Sequence, residues 1–138
     1  MTRISINIFL VSLLTWFFVA SLFSNSASAS PEEDADKLRN LLSTGKKFLQ
    51  SGQYDKAMKN VQQALAIART LGKEDGIATS LSNIGRVYRS WGQYDKAIEN
   101  YQQALTIARK LGSENMVSKS LMNIEKAKKN IILKEAKE

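Results

Sequence analysis

Three cations recur at one interval: Lys46, Arg86 and Lys126 stand 40 residues apart. Asn83 and Asn123 precede the last two by three positions, one turn earlier on the same face if the segments are helical. An amide donates and accepts at once, so such a pair can hold the backbone of an extended peptide without reading its side chains. A column of cations beside it adds a preference for acidic side chains or a C-terminal carboxylate. That is binding chemistry, and the residue types for covalent or proton-transfer chemistry are mostly missing. The 138 residues contain no histidine and no cysteine. Zinc sites built on those ligands, thiol nucleophiles, disulfides, lipid-attachment cysteines and histidine bases are therefore excluded. The glycines are spaced for turns rather than for a phosphate loop, and the carboxylates are scattered over helix starts and loops. The chain reads as a non-enzyme, with no catalytic residue, no cofactor and no metal site expected.

The elements that carry these residues are repeats. Gly52–Leu71 (GQYDKAMKNVQQALAIARTL) returns 40 positions later as Gly92–Leu111 (GQYDKAIENYQQALTIARKL). Ser80, Leu81, Asn83 and Ile84 return as Ser120, Leu121, Asn123 and Ile124, and Leu41, Gly45 and Phe48 stand one interval before Leu81, Gly85 and Tyr88. Each unit reads as two helices. Tyr94, Ala97, Ile98, Tyr101, Ala104, Leu105, Ala108 and Leu111 are separated by threes and fours, a helical stripe. Asp95 at its start and Arg109 and Lys110 at its end suit the helix dipole, and Gly72 and Gly112 read as helix stops. Ser30-Pro31-Glu32-Glu33 offers a capping box with proline at the first helical position. The reading is all-α, with five helices over about 31–51, 54–71, 75–91, 94–111 and 115–136.

The pairs Gly45 with Ala57 and Gly85 with Ala97 put small residues where two helices should cross closely. At the third equivalent position Glu125 replaces glycine, and Lys128 replaces the aromatic of Tyr88. The last helix is therefore expected to cap the stack and turn Lys126, Lys128, Lys129 and Lys134 to water. Trp91, at the end of the third helix, is expected in the core, with partial exposure as the alternative.

The motif Leu81, Ile84, Gly85, Tyr88, Gly92, Tyr94, Ala97, Tyr101, Ala104 resembles the tetratricopeptide repeat family, and the resemblance covers Leu38 to about Lys129. The period of 40 exceeds the family's usual length of about 34, and is similar to the extended variety found in kinesin light chains and in bacterial sensor and scaffold proteins. The proline that usually closes a repeat is absent. Arg69 and Arg109 stand near its place, within a longer second helix that a proline would break. The resemblance implies an α–α superhelix, a solenoid of antiparallel helix pairs with about two and a half repeats. Repeat one is 35–71, repeat two 75–111 and a C-terminal capping half-repeat 115–136.

The resemblance also implies that the first helix of each pair lines a concave groove. The candidate peptide-binding residues are then Lys46, Asn83, Arg86, Lys119, Asn123 and Lys126. The same register places Arg39, Leu42, Ser43 and Leu49 of the first unit, Thr79, Ser82 and Arg89 of the second, and Met122 and Lys129 of the last helix on that surface. Against the family's carboxylate clamp, Lys119 and Asn83 fit, while Leu42, Lys46 and Asn123 do not.

The first thirty residues read as an address. Arg3 precedes the apolar run Ile8–Phe23, and the small residues Ala27, Ser28 and Ala29 make an A-x-A pattern with cleavage before Ser30. Residues 1–29 are thus expected to be a signal peptide, and 30–138 the repeat domain, secreted or periplasmic. The alternative is anchorage by an uncleaved N-terminal helix. A spanning helix takes about 20 apolar residues, a length this run reaches only by including Ser5 and Asn7. The formal charge of +7 suits an acidic partner, and the expected partner is an extended segment of another protein. Export, and the lack of aromatics interleaved with the basic residues, argue against nucleic acid. A membrane enters only if cleavage fails. Two and a half repeats are near the lower limit for a stable stack, so a homo-oligomer assembled through the repeat ends is the alternative reading.

Overall fold

The computed structural model describes residues 30–137. The expected signal segment 1–29, with Ala27 and Ala29 of its cleavage pattern, lies outside the described residues. Five helices follow one another: α1 Pro31–Gln50, α2 Tyr54–Thr70, α3 Glu74–Ser90, α4 Tyr94–Lys110 and α5 Glu114–Glu135. There is no strand among the described residues, and every helix end falls within one residue of the sequence reading. Each helix packs on the next, and α3 also touches both α1 and α5. The result is two layers, α1, α3 and α5 in one and α2 and α4 in the other, the stacking of a helical solenoid.

The turns are alike because one backbone device makes them all. Gly52, Gly72, Gly92 and Gly112 have φ between 63° and 74°, a left-handed conformation that costs an L side chain roughly 1–2 kcal/mol. The residue after each glycine donates its N–H back across the helix end: Gln53 to Phe48 and Gln93 to Tyr88, both at 2.9 Å, in the pattern of a Schellman motif. Three residues are enough to reverse the chain, so consecutive helices lie antiparallel and in contact.

Alanine sets the helix spacing. Ala57, Ala64, Ala68, Ala97, Ala104 and Ala108 are buried, which lets neighbouring helices approach, while Val61, Val87 and Tyr101 are the largest wholly buried apolar or aromatic side chains. Gly45 faces Val61 and the Ala57 carbonyl, and Gly85 faces Tyr101 and the Ala97 carbonyl, so both small pairs of the sequence mark close crossings. Tyr88 and Tyr94 are half-buried. One surface contact repeats with the motif: Lys56 Nζ lies 5.5 Å over the Phe48 ring and Lys96 Nζ 5.6 Å over Tyr88. Lys110, at the end of α4, pairs with Glu74, at the start of α3.

For Trp91 the alternative of partial exposure holds, and one expectation on α5 is corrected. Trp91 is 37% exposed and meets Tyr88 edge-on, with ring centroids 5.8 Å apart. It follows the last turn of α3, beyond the reach of the helix that covers the rest of that face. On α5 the four lysines are exposed as expected, but so are Leu121 and Ile132. The end of the stack is therefore half apolar, because α4 buries one side of α5 and no described element covers the other.

Candidate binding groove

The layer formed by α1, α3 and α5 carries an open trough of about 750 Å³. All six candidate residues line it: Lys46 from α1, Asn83 and Arg86 from α3, and Lys119, Asn123 and Lys126 from α5. Helical geometry explains the gathering. Steps of three and four keep each set on one face of its helix, and the 40-residue interval returns that face to the same register in the next unit. Of the other residues assigned to this surface, Leu42, Ser43, Thr79, Ser82, Arg89 and Met122 also line the trough, and Arg39, Leu49 and Lys129 do not. Arg39 stands seven residues before Lys46, about 10 Å along the helix at 1.5 Å per residue, and pairs with Asp36 at 2.9 Å. Leu49 is only 9% exposed and belongs to the core cluster shared with α2 and α3. Lys129 is exposed outside the trough.

The electrostatics are one-sided. Lys46, Arg86, Arg89, Lys119 and Lys126 line the trough, no carboxylate does, and none of the five cations is in an ion pair among the described residues. Leu42, Met116 and Met122 give it an apolar component.

The two amides are less free than the sequence suggests. Asn83 is 9% exposed, and its Oδ1 accepts a hydrogen bond from Nη1 of Arg86 at 3.3 Å. It holds one arm of the guanidinium at the trough and leaves the other N–H groups for an incoming acceptor. Asn123 donates from Nδ2 to Oγ of Ser82 at 3.5 Å, a long bond that joins α5 to α3. Behind α3 lies Tyr101, fully buried, with a hydroxyl that has no hydrogen-bond partner among the described residues. Burial pushes its pKa up to about 12, and the positive charges of Arg89 and Arg86 pull against that rise.

The sequence reading missed Ala78, Met116 and Ser120 as lining residues. Met116 sits in the first turn of α5, ahead of the repeat motif, where its equivalent one interval earlier is Gly76. A position whose residue type does not repeat gives no register signal. The described residues hold no cluster of carboxylates suited to a metal ion, and no helix among them is long and apolar enough to cross a membrane.

Residues 45–110 match the family model for the tetratricopeptide repeat. Among solved structures, the tetratricopeptide repeat domain of Arabidopsis FLU is similar, with a TM-score of 0.56 and 24% identity over 75% of this chain and 96% of that one. That likeness shows a shared fold. No curated protein matches the sequence.

Proposed function

The chain belongs to the tetratricopeptide repeat family, whose members are protein–protein interaction or scaffold modules, and from that premise we propose that its trough binds an extended, acidic segment of another protein outside the cytoplasm. The observation that carries this reading is the composition of the trough: five cations, no carboxylate, and two amides beside them. An extended peptide presents backbone groups to Asn83 and Asn123, and its carboxylates meet Arg86, Lys126 and their neighbours. Pairs of this kind are charge-assisted, and in a partly desolvated trough each is worth roughly 1.5–3 kcal/mol. The apolar surface of Leu42, Met116 and Met122 gives the segment's other side chains a place to rest. No chemistry is assigned to the chain itself.

Export rests on the sequence: a single cation, an apolar run too short for a comfortable span, and Ala27-Ser28-Ala29 before Ser30. N-terminal sequencing of the exported protein should begin at Ser30, and a membrane-retained product beginning at Met1 would refute cleavage.

The binding reading is tested by calorimetric titration with a segment found by capture from the native envelope. The same segment with its carboxylates converted to amides is titrated in parallel, at two salt concentrations. The acidic form should bind at least about tenfold tighter, a difference of 1.4 kcal/mol, and should weaken as salt rises. Equal binding of the two forms would remove the trough's cations from the account.

A further inference from the structure

One side of α5 is left uncovered by the described residues. It carries Leu121, Glu125, Lys128 and Ile132, all exposed, Leu121 by 46% and Ile132 by 64%. Steps of four, three and four hold them in a single stripe along the helix. The matching stripe of α3 begins with Leu81, Gly85 and Tyr88. There α4 lies against it, and Leu81 is only 5% exposed. So α5 presents the kind of surface that this fold elsewhere buries under another helix. None of the four residues lines the trough. Neither Glu125 nor Lys128 is in an ion pair within the described residues.

The stripe reads apolar, acidic, basic, apolar, and it is complementary to itself when reversed. Leu121 and Ile132 are equidistant from its midpoint, between Lys126 and Ala127, and so are Glu125 and Lys128. We infer that this stripe docks on the same stripe of a second copy of the chain, with the two α5 helices antiparallel about a two-fold axis. Such a contact is isologous, the commonest kind in soluble oligomers. Leu121 meets the partner's Ile132 at both ends, and in the middle Glu125 meets the partner's Lys128 twice. A parallel arrangement would instead set Glu125 against the partner's Glu125 and Lys128 against the partner's Lys128, so charge selects the antiparallel one. With one charge of each sign, the stripe has no preference for an acidic or a basic stranger.

The contact spans about three helical turns, well short of a standard interface, so the dimer is weak and concentration-dependent. The trough stays open in each copy. On the groove reading above, the dimer would carry two grooves and hold a partner with two acidic segments by avidity. Failure of the dimer would leave the single groove untouched.

The test uses the full chain, which has no cysteine of its own. Leu121→Cys chains are mixed with Ile132→Cys chains under mild oxidation. The mixed disulfide should form at least about tenfold faster than a disulfide in either variant alone, since only the mixed pair faces itself across the two-fold axis. In sedimentation across a range of concentrations, Glu125→Lys and Lys128→Glu should each weaken the dimer at least about tenfold, because each sets like charges together. Mixing these two variants, or combining both substitutions in one chain, should restore it. The inference is overturned by a chain that is monomeric at every concentration, by Leu121→Cys chains linking to one another as fast as to Ile132→Cys chains, or by charge reversals that do not rescue one another. A monomeric Leu121→Cys variant whose new thiol resists labelling would also overturn it, by assigning the face to a segment of the same chain such as residues 1–29.

Discussion

A Cβ placed on Gly85 would stand 2.6 Å from Cε1 of Tyr101, whereas one placed on the repeat-equivalent Gly45 would stand 3.3 Å from Cγ1 of Val61. The two crossings share a motif and differ in tightness, because a ring fills in repeat two the space that an isopropyl group fills in repeat one. Replacing a mid-helix glycine by alanine gains up to about 1 kcal/mol of helix propensity. At Gly45 that gain meets only a contact a few tenths of an ångström short. At Gly85 it meets a ring wedged against the backbone, and overpacking of this kind costs about 1–3 kcal/mol. Gly85→Ala should therefore lower the melting temperature, while Gly45→Ala should leave it level or raise it. Thermal melting by circular dichroism compares them, and equal shifts would mean that Tyr101 does not set the crossing. Combining Gly85→Ala with Tyr101→Val should recover part of the clash.

Gly92 is glycine for another reason. A Cβ there would touch nothing within 4 Å, but its φ is +73°. Gly92→Ala should cost roughly 1–2 kcal/mol through backbone strain alone. The same melting experiment reads it, and a smaller partner side chain elsewhere should not rescue it.

Tyr101 carries a buried hydroxyl without a partner among the described residues. An unsatisfied buried polar group costs about 1–3 kcal/mol, so Tyr101→Phe should hold or raise stability by up to about 1 kcal/mol. A lower denaturation midpoint for Tyr101→Phe would point to a partner for the hydroxyl.

The same phenol makes stability depend on alkaline pH. Its pKa is about 12 in the folded protein against 10.0 for a free tyrosine. Below pH 10 both states hold the proton and the full contribution is present. Between 10 and 12 the unfolded chain releases its proton and the folded one does not, so stability falls by about 2–3 kcal/mol as pH rises through that window. Urea denaturation of the wild type and Tyr101→Phe at pH 9 and pH 11.5 isolates this residue from the other tyrosines. The wild type should lose more, and parallel losses would overturn the assignment.

In the trough, Asn83 accepts a hydrogen bond from the Arg86 guanidinium at 3.3 Å, so on the proposed binding reading it should act partly through Arg86. Arg86→Glu should weaken binding of an acidic segment at least about tenfold. Lys73→Glu, in an exposed turn, should be nearly silent. Asn83→Ala and Arg86→Ala should be non-additive, since side chains in one hydrogen-bonded unit couple. A double-mutant cycle by calorimetry measures that coupling. Additive losses would mean that the amide and the cation meet the segment separately, and equal damage from Lys73→Glu and Arg86→Glu would mean that charge acts diffusely.

The sequence by itself determined the helices, their order and the residues that share a face. Those follow from local rules: period 3.6 in the apolar residues, glycine where φ must be positive, and a 40-residue interval that repeats both. The same interval brought Lys46, Arg86 and Lys126 into one column, so the trough's cations were legible before any packing was known. Other features depended on distances between helices, which no local pattern encodes. Only the tertiary structure showed that Asn83 is nearly buried and tied to Arg86, that Leu49 turns into the core, and that the trough ends short of Arg39 and Lys129. It also decided that Trp91 lies partly at the surface and that the described residues leave one side of α5, with Leu121 and Ile132, uncovered. Periodicity says which residues point the same way. Whether a neighbour stands there to meet them is settled by how closely the helices approach, and here alanine, Gly85 and Tyr101 set that approach.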